Sequence, residues 1–133
     1  MADRSVVPDS AEGLMTYPTT SDLSALRYHF VKLDANELVV ACGANEKPLG
    51  ILENAPDGSS VKASAAVRIS GPSKLKLDEA VAFGNFLTCT AASQGEVADA
   101  AGEEYGAKAL SSGDDGDIIA VLVTHGEVNA ADA

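Results

Sequence analysis

The chain has 133 residues, enough for one compact domain or two very small ones. Asp and Glu outnumber Lys and Arg by 20 to 9, a formal net charge of −11, and so acidic a chain lacks the cations whose counterion release drives phosphate-backbone binding. That argues against a nucleic-acid partner. Hydrophobic residues are 46% of the chain, but 23 of them are Ala, and Val, Ile, Leu and Phe together number 31. This exceeds the level at which chains stay disordered, yet it is a lean supply for a self-sufficient core and points to apolar surface buried against another chain.

Residues 1–20 contain Pro8, Gly13 and Pro18 among polar residues, show no sustained period, and read as an irregular, extended N-terminal arm. No basic stretch leads into an apolar h-region, so no secretory signal is expected. The longest apolar run, 118–123, has six residues, against the roughly 20 that a membrane-spanning helix needs. The expectation is a soluble protein made in the cytoplasm, with no membrane partner. Cys42 and Cys89 stand apart, outside any CxxC pair, and are expected to be reduced thiols serving as small hydrophobes.

Residues 21–126 read as a β domain built on an internal repeat, and 127–133 as a short polar tail. Phe30 to Gly50 and Phe86 to Gly106 span the same interval at an offset of 56 residues. At that offset Asp22 meets Asp78, Val31 meets Leu87, Leu33 meets Cys89 and Leu49 meets Tyr105. The copies run over about 21–70 and 78–125. Each opens with a strand (30–33; 86–90), turns through a polar segment, and continues in a second strand (38–41; 96–98). A third strand then starts at Gly50 or Gly106. A Gly/Asp turn (56–59; 113–116) leads to an apolar closing strand (61–69; 118–123), with the second turn about two residues longer. Single helical turns are expected only at 21–26 and 78–82, where Asp or Ser can cap. Two such meanders predict a mainly β fold, a small β-barrel or sandwich made of two similar units. Phe30 and Phe86 are expected to be equivalent and buried, and Gly50 and Gly106 to be equivalent.

Residues with chemistry are scattered. His29 and His125 have no partner at fixed spacing, and no nucleophile elbow, Walker loop or zinc-protease segment is present. His29 reads as a strand-edge residue and His125 as a turn residue. Asp114, Asp115 and Asp117 could offer oxygen ligands to Ca²⁺, but the order of an EF-hand loop is missing and the segment reads as a solvated hairpin turn. The glycines of 43–50 frame a loop from which Pro48 removes a donor, unlike a phosphate cradle. No catalytic residue, metal site or cofactor is expected.

Several segments resemble the small capsid decoration, or cement, proteins of tailed bacteriophages. They are Thr20-Ser21-Asp22-Leu23-Ser24, Tyr28-His29-Phe30-Val31-Lys32-Leu33-Asp34, Lys47-Pro48-Leu49-Gly50-Ile51-Leu52, Ala55-Pro56-Asp57-Gly58, and the closing Gly116-Asp117-Ile118-Ile119-Ala120-Val121-Leu122-Val123. The resemblance covers about 19–125. It implies a β-rich structural protein on the outer surface of the virion head, a homotrimer that clamps neighbouring major capsid proteins after shell expansion. An acidic surface and a lean core agree with that expectation. Val6, Val7, Leu14, Met15 and Tyr17 are the expected contacts of the arm with the capsid or with another subunit. The rival expectations are an adhesion module and a small β-barrel ligand carrier or enzyme; against the latter stands the want of clustered His, Cys, Arg or aromatic residues for a pocket.

Overall fold

The computed structural model describes residues 13–59 and 63–129. Among these described residues ten strands follow in order: β1 (Leu14–Pro18), β2 (Phe30–Leu33), β3 (Val39–Ala41), β4 (Gly50–Leu52), β5 (Ser64–Arg68), β6 (Gly71–Lys76), β7 (Phe86–Cys89), β8 (Gly95–Val97), β9 (Glu104–Ala109) and β10 (Ile118–Glu127). They form two five-stranded antiparallel sheets, ordered β1-β5-β4-β2-β3 and β6-β10-β9-β7-β8. Adding five to each label of the first order gives the second. The fold is mainly β, as the alternation and turn spacing predict, and its sheets are open layers, which corrects the barrel half of the expectation. Among the described residues there is no helix; the segment at 21–26 makes only tight turns, with the Leu26 amide donating to the Leu23 carbonyl.

The repeat is clearest in one hairpin turn. Asp34 and Thr90, 56 residues apart, accept the same backbone bonds from Glu37 and Ser93, and each returns its own amide to the carbonyl four residues on. The Asp34 carboxylate accepts from the amides of Asn36 and Leu38, and the Thr90 hydroxyl accepts from those of Ala92 and Gln94. Glu37 and Ser93 both take left-handed backbone angles, at φ 64° and 65°. A side-chain acceptor at the first position satisfies the amides that this turn exposes.

Several expectations change. Leu14–Pro18 is not irregular: it is a strand paired with β5, Tyr17 opposite Ala65 and Met15 opposite Val67. β6 lies where the sequence reading placed no strand, although Lys74-Leu75-Lys76-Leu77 alternates as a half-buried strand should. His125 sits inside β10 and not in a turn. Val31 pairs with Gly50, but Leu87 pairs with Ala107, so Gly50 and Gly106 are not equivalent. The second half takes one more residue between its second and third strands: Ala41 to Gly50 spans nine positions and Val97 to Ala107 ten. Leu52 pairs with Val67 and Ala109 with Val121, so the turn joining the last two strands is shorter in the second half, not longer.

Each half has its own core. In the first, Leu23, Val31, Val39, Leu52, Ala65 and Val67 pack together, with Tyr17 and Leu26 against them. In the second, Leu75, Leu77, Val81, Leu87, Cys89, Ala109, Ile119 and Val121 do so, joined by Phe30, Cys42 and Ile51 of the first half. The opposite face of the first sheet is thus set against the core of the second. Gly106 permits this, because a Cβ there would stand 2.9 Å from both the Phe30 ring and Pro48. The seam is polar at its margins: the Phe30 amide donates to Ser93 O at 2.8 Å, the Ser73 hydroxyl to Glu53 at 2.7 Å, and the Lys76 amide to Tyr28 O at 2.9 Å.

Candidate interaction surface

A half-buried antiparallel strand normally alternates apolar inward with polar outward. β10 does not. Ile119, Val121 and Val123 are buried, while Ile118, Ala120 and Leu122 point outward and are exposed. Register carries this pattern across the sheet: Pro72, Leu122, Lys108 and Phe86 form one row over β6, β10, β9 and β7. Ala120 lies opposite Lys74 and Ile118 opposite Lys76 in the next rows. Phe86 is 38% exposed, Leu122 36% and Ile118 51%, with Leu110 and Phe83 exposed nearby. Tyr105 stacks on Phe86 with ring centroids 4.3 Å apart, and the Lys108 ammonium lies 5.8 Å from the Phe86 ring centre. A cleft of about 350 Å³ opens beside them, lined by Phe86, Ala98, Tyr105, Glu127, Val128 and Asn129. The result is a largely apolar sheet face, bordered by Lys74 and Lys76 on β6 and crossed by Lys108 between Leu122 and Phe86, a surface of the kind that marks interaction sites.

The exposure of Phe86 overturns the expectation that both Phe residues are buried. Phe30 and Phe86 open equivalent strands, but only Phe30 has a second sheet to cover it. The expected contact residues are distributed differently. Tyr17 packs on the first core, Leu14 is half-buried, and Met15 is 44% exposed at the sheet's rim. Val6 and Val7 lie outside the described residues. The apolar face was missed although the run 118–123 announces it: six apolar residues in a strand with one free face cannot all point inward.

The scattered chemical groups stay scattered. His29 is buried, its Nδ1 is 3.1 Å from Arg27 O, and burial holds its pKa below the usual imidazole value. His125 Nε2 lies 2.9 Å from Leu49 O and ties the halves together. Asp114 to Asp117 form a turn in which the Asp114 amide donates to the Asp117 carboxylate, and the described residues contain no group of three His, Cys, Asp or Glu arranged to hold a metal ion. Glu96, on the edge strand β8, is pushed up by burial first and then by the carboxylates of Glu79, Glu103, Asp78 and Asp99.

No protein-family model and no curated protein matches the chain. Among solved structures, the N base of head fiber gp8.5 of bacteriophage phi29 matches with a TM-score of 0.65 at 10% identity, over 84% of this chain and 92% of that one. At that identity the likeness is one of fold.

Proposed function

We propose that the chain is a structural protein of a phage head: a decoration protein that sits on the outer surface of the virion shell, binds the major capsid protein, and acts without catalysis or a cofactor. The observation that carries the reading is the fold shared, over nearly its whole length, with the base of a phage head fiber. The apolar face of the second sheet supports it, because a flat patch bearing Phe86, Leu122 and Ile118 suits docking on a protein lattice better than enclosing a small ligand. The net charge of −11 supports an outward position away from packaged DNA. Repetition over a lattice multiplies modest contacts, so a lean interface suffices. On this reading the bound form is a homotrimer spanning neighbouring capsid subunits.

Co-sedimentation with expanded heads lacking the protein tests the proposal. The wild-type chain is expected to saturate the heads, and the Ile118→Asp, Leu122→Asp double variant to bind at least tenfold more weakly while melting within a few degrees of wild type. Image reconstruction of saturated heads is expected to show three copies about a local three-fold axis. Deleting residues 2–12 leaves β1 whole and isolates the contribution of Val6 and Val7. Failure of the wild-type chain to bind any head overturns the reading. Undiminished binding by the double variant overturns the choice of face.

A further inference from the structure

The two cysteines, remote in sequence, meet at the seam between the halves. Cys42 follows β3 in the first half and Cys89 ends β7 in the second, and both are free and about 1% exposed. The Cys89 thiol lies 3.2 Å from the Cys42 carbonyl oxygen, and both cysteines belong to the same buried cluster. The approach is held from several sides. The Cys42 carbonyl also accepts the Ser93 hydroxyl at 2.6 Å, the Cys42 amide donates to Phe30 O at 3.3 Å, and the Phe30 amide donates to Ser93 O at 2.8 Å. These bonds pin the backbone on both sides of the pair and hold the two residues in contact, as a disulfide requires.

We propose that Cys42 and Cys89 are a disulfide site, closed by a low-molecular-weight disulfide oxidant and linking the two halves covalently. The Cys42 thiol loses its proton and its sulfur attacks one sulfur of the oxidant, such as oxidised glutathione, releasing one thiol and leaving a mixed disulfide. The Cys89 sulfur, deprotonated in turn, displaces the second thiol from Cys42. Two protein thiols are oxidised by two electrons and one oxidant disulfide is reduced to two thiols. Cys42 is the better first nucleophile: the hydrogen bond from Cys89 lowers its pKa, whereas that partnership and burial push the Cys89 thiol up. Burial makes the reaction wait on local opening of the seam. The residues joined are 47 apart and enclose β4, β5, β6 and β7 up to Cys89, so the bond restricts a long loop of the unfolded chain. The inference rests on the fold alone and is independent of the head-surface reading.

The test incubates the full native chain with excess oxidised glutathione, in urea well below the unfolding midpoint so that the seam opens transiently. Intact mass should fall by the mass of two hydrogens, peptide mapping without reductant should recover Cys42 joined to Cys89, and the melting temperature should rise by about 10 °C. Dithiothreitol should reverse all three, and Cys42→Ala or Cys89→Ala should abolish them. Stable glutathione adducts, intermolecular dimers, persistent free thiols, or an intramolecular bond that lowers the melting temperature would each overturn the proposal.

Discussion

The two halves share a strand order but not a boundary condition. In the first, Phe30 and Ile51 of the row Phe30, Ile51 and Arg68 join the second half's core; in the second, the equivalent row Phe86, Lys108 and Leu122 faces outward. Packing of this head-to-tail kind always leaves one terminal face uncovered. The second half is therefore where the molecule has surface to offer, and the first is where it has spent its own. The difference shows how identical topology assigns one residue type, Phe at the start of the opening strand, to a core in one place and to a patch in the other.

The comparison is most sharply tested by truncating each Phe. Phe30→Ala should cost about 3–5 kcal/mol in urea unfolding, because it empties a fully buried site, and Phe86→Ala about 1 kcal/mol or less. Equal losses would break the distinction between the faces. The glycines come next. A Cβ at Gly50 would stand 2.1 Å from the Arg68 carbonyl oxygen, backbone that cannot yield, whereas at Gly106 the obstacles are the side chains of Phe30 and Pro48. Gly50→Ala should cost about 3 kcal/mol and Gly106→Ala about 1 kcal/mol. The reverse order would show that the seam is the stiffer of the two.

Smaller effects separate the twin turns. Glu37→Gly relieves a left-handed backbone and should be neutral or stabilising by up to about 1 kcal/mol. Ser93→Gly relieves the same strain but removes the hydroxyl that bonds Cys42 O, so it should destabilise by about 1 kcal/mol. Matching signs would mean that the Ser93 hydroxyl contributes nothing to the seam. The smallest effect is a pH dependence at Glu96. Its folded pKa is raised, so the folded state holds more protons there than the unfolded state, and stability falls as pH rises from the ordinary Glu value through the folded one. Glu96→Gln should flatten that part of the stability curve and slightly stabilise the protein at neutral pH; thermal melts from pH 4 to 7 measure it.

Local periodicity made most of the fold legible. The 56-residue offset locates β2, β3, β7, β8 and their turns, because strand and turn chemistry are properties of neighbouring residues. The faces were not legible. Nothing near Phe30 or Phe86 says which has a second sheet over it, since the seam joins segments far apart in the chain. Tyr17 reads as an anchor among polar neighbours until its pairing with Ala65 places it beside the first core. Gly106 sits beside a one-residue slip that a fixed offset cannot represent. The contact face was half visible: the unbroken run 118–123 states that one side of β10 lacks polar cover, but only the register with Lys108 and Phe86 turns a strand into a surface.

The ends of the fold differ in how they carry load. Among the described residues β1 is an edge strand paired with β5, over the five residues Leu14–Pro18. β10 is an inner strand gripped by β6 along 118–123 and by β9 as far as Glu127. A pull between Leu14 and Glu127 therefore meets one ladder at the first end and two at the other. The expected outcome in a force measurement is that β1 peels away first while the second sheet stays whole. The molecule then lengthens before it fails, so a tether attached ahead of β1 would act as a shock absorber and one attached beyond β10 as a rigid mount.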